Sequence, residues 1–182
     1  MKIQFFGGST FGIQSKNAHV ALDPPADFSE KKLDFVTTST GENLEKLDTK
    51  KVLSFPGEFE ISNILIRGIQ PKSGNLVFKM VFDDVVFAHF SGVKIVSEKN
   101  ILDDLGENVD VLLIALSESL DPKTAKKMID ELDPRMVIFG GDPQFFPEIR
   151  ELTGAQIAEE NPIEISRSKL PEDKTEFVIL PA

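Results

Sequence analysis

Two continuous apolar runs in the second half constrain the fold most. Val109-Asp110-Val111-Leu112-Leu113-Ile114-Ala115 and Met136-Val137-Ile138-Phe139 show no polar alternation beyond their first residues. A strand with one wet face alternates, whereas a run like these is covered on both faces. Between them, Asp121-Pro122 opens a helix with proline at its first helical position. Ala125, Met128, Ile129 and Leu132 then fall on one face of that helix, which runs to about Leu132. This half therefore calls for a sheet with helices lying over it.

The first half reads as strands. Ile3-Gln4-Phe5-Phe6 ends at Gly7-Gly8, Thr10 to Gln14 alternates, and His19 to Leu22 ends at Asp23-Pro24-Pro25, which together suggest a meander. Asp34 to Thr38 is a fourth strand of buried type, and Gly41 to Lys50 a short polar helix or loop. Strands at Val52–Phe55, Phe59–Ile61 and Ile64–Ile69 follow, then a hairpin of Leu76–Val81 and Val85–Phe90 about Asp83-Asp84. Short helices are expected at Glu98–Leu105 and Pro147–Leu152, and closing strands at Ile163–Ile165 and Thr175–Leu180. Two strand-rich halves, each with its own helices, point to packed sheets covered by helices. At 182 residues the chain fits one domain, 1–182, and buries enough surface to need no staple.

Thirty acidic against 20 basic residues give a net charge of −10, which speaks against binding a nucleic-acid backbone. With no cysteine there is no disulfide, thiolate nucleophile or Cys-bound metal. Two histidines, His19 and His89, are few for a zinc enzyme, which gathers two or three at one point. No apolar run approaches the roughly 20 residues that span a bilayer. The apolar core of the first residues is too short for a signal peptide, so a cytoplasmic protein that does not enter membranes is expected.

Several segments in order carry a resemblance. They are Gly7-Gly8-Ser9, Leu22-Asp23-Pro24, the strand Asp34 to Ser39, Pro56-Gly57-Glu58-Phe59-Glu60-Ile61 with Arg67-Gly68-Ile69, and His89-Phe90-Ser91-Gly92. Val109-Asp110-Val111-Leu112, Pro134-Arg135-Met136-Val137-Ile138 and Leu170 to Val178 complete the series. This order resembles the metallo-β-lactamase fold, in the small lactonase-like branch of the ascorbate-6-phosphate lactonase type. The resemblance implies a four-layer αββα sandwich, an α/β (α+β) fold. For the family it also implies zinc ions that activate a bridging water.

The departures fall on the chemistry. Where the family has Gly-His-Ser, this chain has Gly8 for the histidine. The ligand positions of its His-x-His-x-Asp-His motif read Thr40, Glu42, Leu44 and Glu45, following Ser39. The bridging aspartate becomes Gly92 and the last ligand histidine Gly141, while Gln70 to Gly74 holds no histidine. The resemblance therefore implies a vestigial pocket at Gly8, Ser39, Thr40, Glu42, Leu44, Glu45, Gly92 and Gly141, with no zinc and no catalytic residue. A metal-free binding or assembly module, self-associating or with a protein partner, is the leading expectation. The runner-up is a hydrolase for lactones, esters or phosphodiesters with a rebuilt site for a hard cation, held by Glu42, Glu45, Asp142 and His89. A third reading is a small-ligand-binding protein using the vacated pocket. Ser39 and Thr40 have no histidine base placed by sequence, so capping the next helix is their expected role. Phe145-Phe146, between Pro143 and Pro147, is expected to form an exposed contact patch.

Overall fold

The computed structural model describes residues 1–30, 32–40, 46–72, 75–91, 99–106 and 108–182. Three antiparallel strands begin the chain: β1 (Lys2–Gly7), β2 (Thr10–Gln14) and β3 (His19–Leu22). Next, β4 (Phe35–Thr37) joins β3 in parallel and β5 (Val52–Leu53) joins β4. The hairpin strands β6 (Gly57–Ile61), β7 (Ile64–Ile69), β8 (Val77–Phe82) and β9 (Val85–Ser91) start a second sheet. The apolar runs become β10 (Val111–Leu116) and β11 (Met136–Gly141), parallel to each other and to β9. The chain closes with β12 (Gln156–Ile157), β13 (Ile163–Glu164) and β14 (Glu176–Ile179). The result is a six-stranded sheet, β13-β1-β2-β3-β4-β5, and an eight-stranded one, β12-β14-β11-β10-β9-β8-β7-β6.

Alternation decides which side chains fill which layer. In β8, Phe78, Met80 and Phe82 turn inward to meet Phe5, Phe11, Ile13 and Phe35 of the other sheet, while Val77 turns outward. On the outer face of the eight-stranded sheet, Leu112, Ile114, Val137 and Phe139 pack beneath α1 (Lys99–Leu105), α2 (Pro122–Leu132) and α3 (Phe146–Thr153). Helix α2 starts where expected. The Asp121 carboxylate accepts from the Thr124 amide at 2.8 Å, Pro122 follows, and Ala125, Met128 and Ile129 are buried. The outer face of the six-stranded sheet is covered by Phe28, Leu33 and Leu47 over Ala21 and Val36. Among the described residues this cover contains no helix.

The two-residue hairpin turns have the backbone their residues favour. Ser62 and Asn63 take φ of 53° and 61°, and Asp83 and Asp84 take 46° and 63°. Such mirror-image turns match the twist of the flanking strands. Strand β6 forms one edge of the eight-stranded sheet, and its outward residues Glu58 and Glu60 are exposed.

One buried acid ties the second sheet to its surroundings. Asp110 lies just before β10, where its carboxylate accepts from the Val86 amide at 2.9 Å and from Arg167 Nη1 at 2.7 Å. Arg135 Nη1 stands 3.8 Å away on the other oxygen, and Arg167 also donates to the Asp84 carbonyl. The Asp110 backbone carbonyl accepts from the Arg135 and Met136 amides, which fixes the start of β11.

Two expectations change. Phe145 and Phe146 do not form an exposed patch. Helix α3 begins at Phe146, one residue earlier than expected, and both rings lie half-buried against the core under the helices. Strand β12 was not expected from the sequence, because two exposed residues carry no periodic signal.

Candidate functional site

The topology brings several strand ends to one place. β1 is antiparallel to β2 and β2 to β3, so the end of β1, the start of β2 and the end of β3 coincide, and parallel β4 ends beside them. The end of β9 arrives from the other sheet. These ends and the loop after β3 enclose a cleft of about 600 Å³. Phe6, Gly7, Gly8, Ser9 and Thr10 line it from the β1–β2 turn, and Asp23, Pro24, Pro25, Asp27, Phe28 and Ser29 from the loop after β3. Thr38, Thr40 and Ser91 complete the wall.

Asp23 organises the base of the cleft. One of its carboxylate oxygens accepts from the Ser39 amide at 2.5 Å and the other from the Ser39 hydroxyl at 2.6 Å. Its backbone amide donates to the Thr37 carbonyl, and its own carbonyl accepts from Thr10 Oγ1 at 2.9 Å and Ser9 Oγ at 3.4 Å. The helix start that Ser39 was expected to cap lies outside the described residues. The Ser39 hydroxyl clasps the loop after β3 to the end of β4, a pairing across 16 residues. Ser39→Ala removes a charge-assisted hydrogen bond and is expected to cost about 1.5–3 kcal/mol, read from thermal or urea unfolding.

His89 lies below the cleft, fully enclosed in β9. Its ring meets the edge of Phe11 at a centroid distance of 5.8 Å, and the Ser9 backbone accepts a hydrogen bond from it. Nε2 of His89 and Oγ1 of Thr37 are buried with no partner among the described residues. Burial pushes the His89 pKa below 6.5, against the opposing pull of the Asp23 charge and the Ser9 bond. In the unfolded chain the histidine takes up its proton at ordinary pH, whereas in the fold it does so only at lower pH. Its contribution to stability is therefore complete above about pH 6.5 and declines as pH falls toward the folded value. The expected slope there is up to about 1.4 kcal/mol per pH unit. His89→Phe should flatten that part of the stability–pH curve.

The remaining predicted positions separate. Gly8 is exposed at the cleft rim with φ +59°, and Thr40 lines the wall with its hydroxyl 3.4 Å from that of Thr38. Gly141 is buried at the end of β11 with φ +99°, and a Cβ there would stand 2.2 Å from the Leu116 carbonyl oxygen. Its neighbour Gly140 is equally confined, since a Cβ would meet the Phe5 ring at 2.5 Å. Asp142 is exposed and accepts from the Gln144 amide at 3.0 Å and its side-chain amide at 2.6 Å. Glu42, Leu44, Glu45 and Gly92 lie outside the described residues. Among the described residues, no group of three or more His, Asp or Glu side chains is placed to hold a metal ion. Sequence reasoning missed Asp27, Phe28 and the Asp23–Ser39 clasp. Only the Leu-Asp-Pro signature pointed toward the clasp.

Two face-to-face sheets with helices over the outer face of the eight-stranded one, and a cleft where strand ends from both meet, define a metallo-β-lactamase-type fold. The chain belongs to the beta-lactamase superfamily, since the family described as "Beta-lactamase superfamily domain" matches residues 2–139. It is similar over 99% of its length, and of the other chain's, to a Thermotoga maritima protein described as a Zn-dependent hydrolase of the metallo-beta-lactamase superfamily, with TM-score 0.82 and 21% identity. A Parabacteroides distasonis protein described as a metal-dependent hydrolase superposes with TM-score 0.62 at 12% identity, over 82% of this chain and 86% of that one. The metallo-beta-lactamase fold protein YhfI from Bacillus subtilis gives 0.60 at 10% identity, over 99% and 96%. At these identities the likeness is one of fold. Comparison with curated proteins gives no match. Among the described residues no helix is long and apolar enough to cross a membrane.

Proposed function

We propose that this chain is a metal-independent binding module of its superfamily, and that the cleft between the strand ends is its ligand site. The observation that carries this reading is the donor set. A zinc centre needs histidine or carboxylate donors converging on one point. Of the ligand positions that the resemblance implies, the described ones hold Thr40 and Gly141, and the backbone around Gly141 leaves no room for any side chain. Among the described lining residues, Asp23 already accepts from Ser39 on both carboxylate oxygens. These residues do not fit a zinc centre. The carboxylate alternative finds no support in its described members either, because His89 is enclosed in the core and Asp142 is held by Gln144. A cleft of about 600 Å³ has the size of a small-molecule site.

Metal analysis of protein purified without chelator tests the first half of the reading, and a screen of ester, lactone and phosphodiester substrates with Mg²⁺, Mn²⁺ or Zn²⁺ tests the second. We expect substoichiometric metal and no turnover. One or two equivalents of tightly held transition metal, or metal-dependent hydrolysis, would sink the proposal.

A further inference from the structure

We propose that the open edge of the eight-stranded sheet takes up an extended segment of a partner protein with a basic–apolar–basic pattern, as an added antiparallel strand beside β6. The inference does not depend on the cleft reading above. Among the described strands β6 ends its sheet, and Gly57, Glu58 and Glu60 along it are exposed. Gly57 has no side chain, so its exposure is that of the backbone itself. The register tells which backbone groups face the edge. Ile61 and Ile64 flank the two-residue turn as a hydrogen-bonded pair, so Phe59 and Gly57 also bond to β7. The amides and carbonyls of Glu58 and Glu60, which alternate with them, point away from β7 toward the edge.

The side chains decide what such a strand carries. Residues paired across two strands share a face. On the outer face a new strand sets one residue opposite Glu58 and another opposite Glu60. Arg67 stands 3.9 Å from Glu58, with side-chain exposures of 47% and 83%, a wet pair that holds the acid only weakly. Lysine or arginine at both positions complements the acids, whereas acidic residues would oppose them. On the inner face, the residue between these two lands beside Phe59. Phe59 and Ile61 are half-buried at the margin of the core, and Phe55, 52% exposed, packs edge-on against Phe59 at 5.3 Å. An apolar residue there covers surface that the fold itself leaves wet. Main-chain bonds to an edge supply affinity in strand addition, and alternating side-chain contacts supply specificity. A second copy of this chain is a poor occupant, since it brings the same two glutamates to the edge. With a net charge of −10, the protein also draws basic segments toward it.

The test uses the full chain and the peptide acetyl-Thr-Val-Lys-Ile-Lys-Val-Thr-amide. A second peptide carries glutamate for both lysines, and a third has both lysine backbone nitrogens methylated. Binding is read by titration calorimetry, and its place by hydrogen exchange of the Glu58 and Glu60 amides. The lysine peptide is expected to bind and to slow exchange at those two amides, and the other two peptides to do neither. Glu58→Lys combined with Glu60→Lys changes only exposed side chains, so the variant should fold as its parent does. It should weaken the lysine peptide at least about fivefold and bind the glutamate peptide instead. Equal binding of the methylated peptide, or binding that leaves the two amides unprotected, reduces the effect to bulk charge and overturns the inference. So does no binding at millimolar concentration, or a preference that survives the charge reversal. Protection of the same amides by self-association, seen by sedimentation without any peptide, overturns the choice of partner.

Discussion

Replacing Asp110 by alanine is expected to destabilise the protein by roughly 3 kcal/mol, the lower part of the range for breaking a buried ion pair. The lower part applies because Arg167 and Arg135 keep side-chain exposures of 54% and 27% and regain water when the acid is lost. The Val86 amide regains less, since the carboxylate is its partner at 2.9 Å on the buried side. Asp110→Asn keeps an acceptor for that amide and should fall between the two. Urea unfolding with an unchanged m-value would assign the loss to the folded state. A loss under about 1 kcal/mol for the alanine variant would show that the two arginines do not depend on this acid.

The second large effect is expected at Gly141. Gly141→His, which places a histidine where the resemblance implies the family's last ligand, should damage the fold and rebuild no zinc site. A non-glycine residue at φ +99° costs about 1–3 kcal/mol. Forcing a Cβ against the Leu116 backbone, 2.2–2.8 Å away, adds an overpacking cost of about 1–3 kcal/mol. Gly8→His is the contrast. Nothing lies within 4 Å of a Cβ there, so only the positive φ of 59° resists, at about 1–2 kcal/mol. Thermal unfolding of the two variants in parallel, with and without zinc, separates the cases. A Gly141→His protein as stable as its parent, or stabilised by zinc, would show that the end of β11 can open.

Much of the fold was legible because its strands announce themselves. Ile64, Ile66 and their exposed neighbours Leu65 and Arg67 alternate in β7, and β10 and β11 are buried throughout, as their unbroken apolar runs required. The site was legible mainly as a place. Its lining comes from five strand ends, and sequence shows where a strand ends but not which ends meet. The Asp23–Ser39 clasp joins residues that each look like ordinary turn formers, and only the parallel pairing of β3 with β4 brings them together. Phe145 and Phe146 misled for a related reason. Their place between two prolines suggested an exposed contact patch, but proline is tolerated in a first helical turn, so α3 begins at Phe146 and both rings pack against the core.

The acidic edge of the eight-stranded sheet bears on how the protein tolerates crowding. A free strand edge invites another chain to add to it, and this one carries half-buried Phe59 and Ile61 beside the outward glutamates. If two copies met antiparallel at β6 about Phe59, each Glu58 would face the other's Glu60, and like charges placed opposite each other disfavour the pair. Two exposed glutamates on this edge therefore disfavour the stacking of copies of this protein into a continuous sheet.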